Sequence, residues 1–214
     1  ALLTRTRLAK PLPSIAITAR SMSIETPNTN TKGVNRTGLT PEESKKLAPR
    51  QAAPEETSFL KRLHTMYACD GSISDDTYSM FTEDAVFHDP VGHADGIGHI
   101  REQFNGLHKI FEKAVIEKQQ LLTNPLSLPN TTLVVDQVVA YYRKAAQEQP
   151  TKTVNSLICM ERNSQGKVIR LQEEWDHKGE KDSSDGFLGM LSEWRKKATV
   201  ALTGAGLTQD PKKV

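Results

Sequence analysis

Apolar residues are spread unevenly along the 214-residue chain, and the period at which they recur changes from segment to segment. Up to residue 57 no apolar period is sustained. From there Phe59, Leu60, Leu63, Met66 and Tyr67 recur at helical spacing, with Thr57 or Ser58 as a cap and Gly71 beyond the end, which predicts a helix. Ser74, followed by Asp75 and Asp76, opens a second, short helix through Tyr78 and Phe81. AVFHD, residues 85–89, reads as a short strand stopped by Pro90. The run GIGHIREQFNGLHKIFE then sets Ile97, Ile100, Phe104, Leu107 and Phe111 on one face, the clearest helical period in the chain.

From residue 114 the period changes to that of strands, near 114–123, 131–145, 151–162 and 167–178. The separators NPLSLPN, QEQP and NSQG are short, so these strands form an antiparallel meander. Val134, Val138 and Tyr142 share one face of the second of them, and Val135, Val139 and Tyr141 the other. Both faces therefore look buried, one under the helices and one against a second copy, and a homodimer through the sheet is expected. Phe187, Leu191, Trp194 and Ala198 predict a last amphipathic helix within 181–214. Helices grouped ahead of a long antiparallel sheet give an α+β fold, with the sheet curling over the helices.

Composition sharpens the boundary at the front. Residues 1–57 hold six of the eleven prolines and none of the twelve aromatics, so they are expected to be a disordered tail, with the domain spanning 58–180. They carry nine Lys or Arg against five Asp or Glu, whereas the remainder carries nineteen against twenty-one. The basic balance belongs to the tail. A slightly acidic domain without a basic stripe argues against nucleic acid as a partner. Within the first 23 residues Arg5, Arg7, Lys10 and Arg20 stand without an acid, the composition of a mitochondrial transit peptide; the alternative is a solvated tail on a cytoplasmic protein. No apolar run is long enough for a membrane span.

Three of the six histidines, His88, His93 and His99, fall within twelve residues beside Asp89 and Asp95. His93-Ala-Asp95 has the ligand types of a non-haem iron site, yet a strand before and a helix after give it no supporting scaffold, and no metal is expected. His88 and Asp89 alternate along a strand and point to opposite faces. In the last strand Ile169, Leu171, Glu173, Trp175 and His177 share one face, and Arg170, Gln172, Glu174 and Asp176 the other. The first set is the apolar one. Glu173 between Leu171 and Trp175 would be desolvated, its pKa raised, and so fitted to act as an acid.

The element order, FTEDAVFHDPVG leading into GHIREQF, and the closing GKVIRLQEEWD together resemble the nuclear-transport-factor-2-like superfamily, in its SnoaL-like and ketosteroid-isomerase-like branch. The resemblance covers about residues 58–178. It implies a cone-shaped α+β barrel whose helices and strongly bent sheet enclose a hydrophobic pocket, often dimeric, binding a small apolar ligand without a cofactor. It also implies a general base at Asp89, the Asp of the D-P-V-G turn. In the ketosteroid isomerases that base faces a Tyr and a protonated Asp. Those two positions fall on His64 and about Ile158, so both familiar donors look absent. The expected function is binding of an apolar carbonyl compound, with isomerase, dehydratase or cyclase chemistry if the domain is an enzyme. Asp89, His64 and Glu173 would then be catalytic, and Tyr67, Phe87, His88, Trp175 and His177 would contact the ligand. The alternative is a non-catalytic binding or dimerisation module of the same superfamily.

Overall fold

The computed structural model describes residues 33–179. The stretch expected as a transit peptide and the helix expected within 181–214 lie outside the described residues.

The strands, in chain order, are β1 (Phe81–Asp89), β2 (Gly92–Asp95), β3 (Lys113–Leu122), β4 (Thr132–Tyr142), β5 (Lys152–Arg162) and β6 (Val168–Trp175). They form one six-stranded sheet in the order β2-β1-β6-β5-β4-β3. The meander β3 to β6 is antiparallel, as its short connections require. The sheet as a whole is mixed, which corrects the purely antiparallel expectation: β1 lies parallel to β6, with Phe87 beside Leu171. A helix crosses over between the β1–β2 hairpin and the meander, and the final strand returns alongside β1. Register shifts interrupt the pairing at Ile116/Lys118 and at Glu161/Arg162, and such bulges bend a strand.

Four helices accompany the sheet among the described residues: α1 (Pro41–Ser44), α2 (Pro54–Tyr67), α3 (Asp75–Tyr78) and α4 (Ile97–Ile110). Helix α2 is capped at Ala53, ahead of the expected cap at Thr57 or Ser58. Pro54 takes its first position, and Glu56 accepts from the Ala53 amide at 2.8 Å and from Arg50 at 2.7 and 2.8 Å. Leu63, Met66, Ile100 and Phe104 of α2 and α4 pack with Phe87, Val135, Val139, Ile158, Met160 and Leu171 of the sheet in one continuous core. On β6 the inner face carries Leu171, as the alternation predicts, but a register shift beside Val168 puts that residue in the core and leaves Ile169, expected inward, 40% exposed.

The opposite face holds a second, smaller cluster of Leu122, Leu128, Val134, Leu157 and Cys159, against which Leu47 packs. Residues 33–57 are thus part of the domain, not of a disordered tail. Asn35, Thr37 and Ser44 are fully buried. The Asn35 amide donates to Ser44 Oγ at 2.8 Å and to the His177 carbonyl at 3.0 Å, while its carbonyl oxygen accepts from the Thr37 amide at 3.1 Å. The backbone at 48–50 also pairs with the end of β3, Arg50 donating to Leu121 and Thr123 to Ala48, each at 2.8 Å. An absence of aromatics signalled disorder, but this segment is held by buried polar bonds, which leave no apolar period to read.

Candidate ligand-binding and acid–base site

Strand β1 alternates Ala85, Phe87 and Asp89 toward the core, with Val86 and His88 on the other side. The strand stops at Pro90, and Asp89-Pro90-Val91-Gly92 turns directly into β2. Pro90 takes the second position of that turn, which its fixed φ suits. Asp89 Oδ1 accepts from the Val91 and Gly92 amides at 2.9 and 2.8 Å, so one carboxylate oxygen is anchored by its own turn. The residue is nevertheless buried.

Glu173 comes to the same interior from β6. Its side chain is buried, and three donors converge on it. Tyr67 Oη donates to Oε2 at 2.7 Å, and Ser156 Oγ and Trp175 Nε1 donate to Oε1 at 2.5 and 3.1 Å. Burial pushes the carboxyl up to about 7, and the charge of Asp89 adds to that, while the three donors act in the opposite sense. Burial likewise raises the Tyr67 hydroxyl well above its ordinary value, with the Glu173 charge next in importance. Around them Tyr67 and Phe87 both pack on the Phe104 ring, centroids 5.2 and 5.0 Å away.

The expected site residues divide clearly. Asp89, Glu173, Tyr67, Phe87 and Trp175 are brought together. His64 is not: it lies on the exposed side of α2, and Tyr67, nearly one turn further on, reaches Glu173 instead. Helix α2 ends at Tyr67, short of Gly71, and Cys69 takes a left-handed φ of 50°. His88 is set on the opposite face from Asp89, its ring 5.8 Å from that of His93. His177 also leaves the site. Strand β6 ends at Trp175, and Asp176 and His177 adopt φ of 53° and 62°, which swings the histidine to the other side of the sheet. There it is fully buried, with Nδ1 3.0 Å from Ser44 Oγ and Nε2 3.7 Å from Asp136 Oδ1.

Two residues of the site escaped the sequence reading. Ser156 and Gln137 face the interior from β5 and β4, paired with each other across the strands. Their signal is a polar residue at an inward position of an otherwise apolar strand. Ile158, where the resemblance put an acid, is the cross-strand partner of Glu173, so the carboxyl is present one strand over.

The exposed histidines keep to themselves. His93 Nε2 pairs with Asp95 Oδ1 at 2.8 Å, and His99 Nδ1 lies 2.6 Å from the Asp95 carbonyl oxygen. Among the described residues no three His, Cys, Asp or Glu side chains gather as a metal would need, and no helix is long and apolar enough to cross a membrane.

No family model matches the sequence, and no curated protein matches it. Solved structures do. A steroid delta-isomerase from Pseudomonas aeruginosa is 14% identical with a TM-score of 0.46, over 70% of this chain and 96% of that one. An epoxide hydrolase/cyclase-like enzyme, SalBIII, active in pyran ring formation in the polyether salinomycin, is 20% identical with a TM-score of 0.43, over 64% and 94%. A protein of unknown function from Exiguobacterium sp. 255-15, described as NTF2-like, is 17% identical with a TM-score of 0.42, over 55% and 97%. The chain is similar to nuclear-transport-factor-2-like structures.

Proposed function

We propose that this domain binds an apolar carbonyl compound and moves a proton on it by acid–base chemistry without a cofactor. Isomerisation, dehydration and cyclisation are the reaction classes that fit. The observation that carries the reading is the buried Glu173 carboxyl, raised to about 7 beside the Asp89 charge and bonded to Tyr67. Two carboxyls whose environments separate their protonation divide the roles of acid and base. Asp89 takes a proton from carbon next to the carbonyl. Tyr67, backed by neutral Glu173, donates to the oxygen on which charge develops. Trp175 Nε1–H can only donate, so it favours Oε1 as the carbonyl oxygen of the neutral acid and leaves the acidic hydrogen on Oε2, facing Tyr67. Tyr67 and Glu173 thus stand in for the two donors that His64 and Ile158 do not supply.

The test needs no known substrate. In deuterated buffer near pH 7, cyclohexanone should exchange its α-hydrogens faster with the protein than without it, and Asp89→Asn should abolish the excess. Exchange at the buffer rate, together with no oxygenated apolar molecule copurifying with the native protein by mass spectrometry, sinks the proposal.

One observation favours the second reading, a non-catalytic module: Asp89 caps its own turn through two amides. On that reading Asp89→Asn leaves ligand affinity unchanged. Dimerisation through the sheet belongs to the same proposal, in narrower form. Residues around Leu47 cover the outer face at Val134, so a partner would sit toward Val115, which is 39% exposed. A mitochondrial address is proposed from residues 1–23 alone, and imaging of the full chain tests it.

A further inference from the structure

Gln137 lies in the middle of VVDQVVA on β4, fully buried and on the inner face between Val135 and Val139. Its Oε1 accepts from Gln119 Nε2 at 3.0 Å. Its Nε2 has no hydrogen-bond partner among the described residues. A buried amide donor left unmet costs about 1–3 kcal/mol, and native interiors rarely tolerate one. An apolar residue at this position would avoid that cost, as do Val135 and Val139 on either side of it. Gln137 is directly opposite Ser156, which donates to Glu173 Oε1 at 2.5 Å. The unmet donor therefore belongs to the same interior as the acid–base pair, on the far side of Ser156.

We propose that Gln137 is a recognition residue whose Nε2 donates to a second oxygen of the bound molecule, at the end remote from the carbonyl that Tyr67 engages. This rests on the acid–base reading above and narrows the ligand class. Gln137 is on β4 and Glu173, the partner of Tyr67, on β6, two strand spacings or about 10 Å of backbone away, which sets the two oxygens at opposite ends of the ligand. The ligand is then an apolar ring or chain with an oxygen acceptor at each end, a diketone or a keto-ether in chemical type. An amide N–H discriminates here because a ligand without the second oxygen leaves it unpaired.

Cyclohexane-1,4-dione and cyclohexanone, titrated against the full-length protein by ligand-observed NMR, separate the cases. The dione should bind roughly fivefold or more tightly than the ketone, the worth of one hydrogen bond. In Gln137→Leu that preference disappears, so that the dione binds no more tightly than cyclohexanone. Gln137→Met gives the same reading should the leucine variant fold poorly. Equal affinities in the wild type, a preference that survives both variants, or binding of neither probe overturns the proposal. Tyr67→Phe keeps the two readings apart. If it weakens cyclohexanone binding while the dione has no advantage, Gln137 is structural and the acid–base reading stands. If cyclohexanone is indifferent to Tyr67, that reading fails, and Gln137 is judged on the dione alone.

Discussion

Tyr67 Oη and Glu173 Oε2 meet at 2.7 Å across 106 residues of sequence, joining α2 to the last strand inside the core. The bond fixes which face of α2 belongs to the site. It also couples the two groups electrically, since the Glu173 charge raises the Tyr67 hydroxyl while the Tyr67 donor lowers the Glu173 carboxyl.

Replacing Tyr67 by Phe removes one donor from Glu173 and keeps the ring on Phe104. Stability should fall by about 1–3 kcal/mol above pH 7, where the carboxylate loses that donor, and by less at pH 5. His64→Ala, on the exposed side of the same helix, should stay within about 0.5 kcal/mol of the wild type. Urea denaturation of both variants at the two pH values checks the contrast. Equal effects would mean that the Tyr67–Glu173 bond contributes nothing.

Asp89→Asn keeps an oxygen for the Val91 and Gly92 amides, so the turn should survive with a change below about 1 kcal/mol. The lost negative charge should lower the Glu173 midpoint from about 7, because Asp89 is among the causes that raise it. Titration of ¹³C-labelled glutamate side chains by NMR reads this directly. A midpoint that stays put would separate the two carboxyls and remove the basis for assigning them acid and base. On the functional reading, α-hydrogen exchange also drops by about two orders of magnitude or more.

Glu173 and Glu174 are both pushed up to about 7, in each case first by burial. An unfolded glutamate releases its proton near 4.5, so between these values the folded chain holds protons that the unfolded chain does not. The stability these groups contribute is full below 4.5 and is lost as pH rises through 7, at about 1.4 kcal/mol per pKa unit for each. Glu56 works oppositely: the Arg50 guanidinium holds it down to about 2, so its contribution is present above 4.5 and lost as pH falls toward 2. The protein should therefore be more stable at pH 5 than at pH 8. Denaturant midpoints across that range that rise with pH would contradict the burial of both glutamates.

Asn35→Ala should destabilise the domain by about 1–3 kcal/mol, because it strips partners from the buried His177 carbonyl and the Thr37 amide. Native-state trypsin should spare Arg36, which is buried and whose amide donates to Glu174 at 3.0 and 2.8 Å. Early cleavage after Arg36 and an unaltered melting temperature for Asn35→Ala would return this segment to a loose tail.

Much of this protein was legible in one dimension. Four strands of the meander and the long helix over Ile97–Ile110 follow from periods of two and of 3.6, because burial on one face imposes those periods locally. The opposite facing of His88 and Asp89, and the inward set of Leu171 and Glu173, follow from the same alternation. Other features depend on contacts between distant segments, which no local period records. The parallel seating of β1 on β6 depends on where the crossover returns the chain. The burial of Asn35, Thr37 and Ser44 depends on polar groups of Glu174 and His177 more than 130 residues away. The choice of Tyr67 over His64 turned on where α2 stops, and the removal of His177 on two left-handed residues that break the strand's alternation. Gln137 is one polar residue within an apolar run, and only the pairing of β4 with β5 sets it beside Ser156. Residue types and periods along the chain select the elements and their faces; which buried polar group meets which is settled only when those faces close on one another.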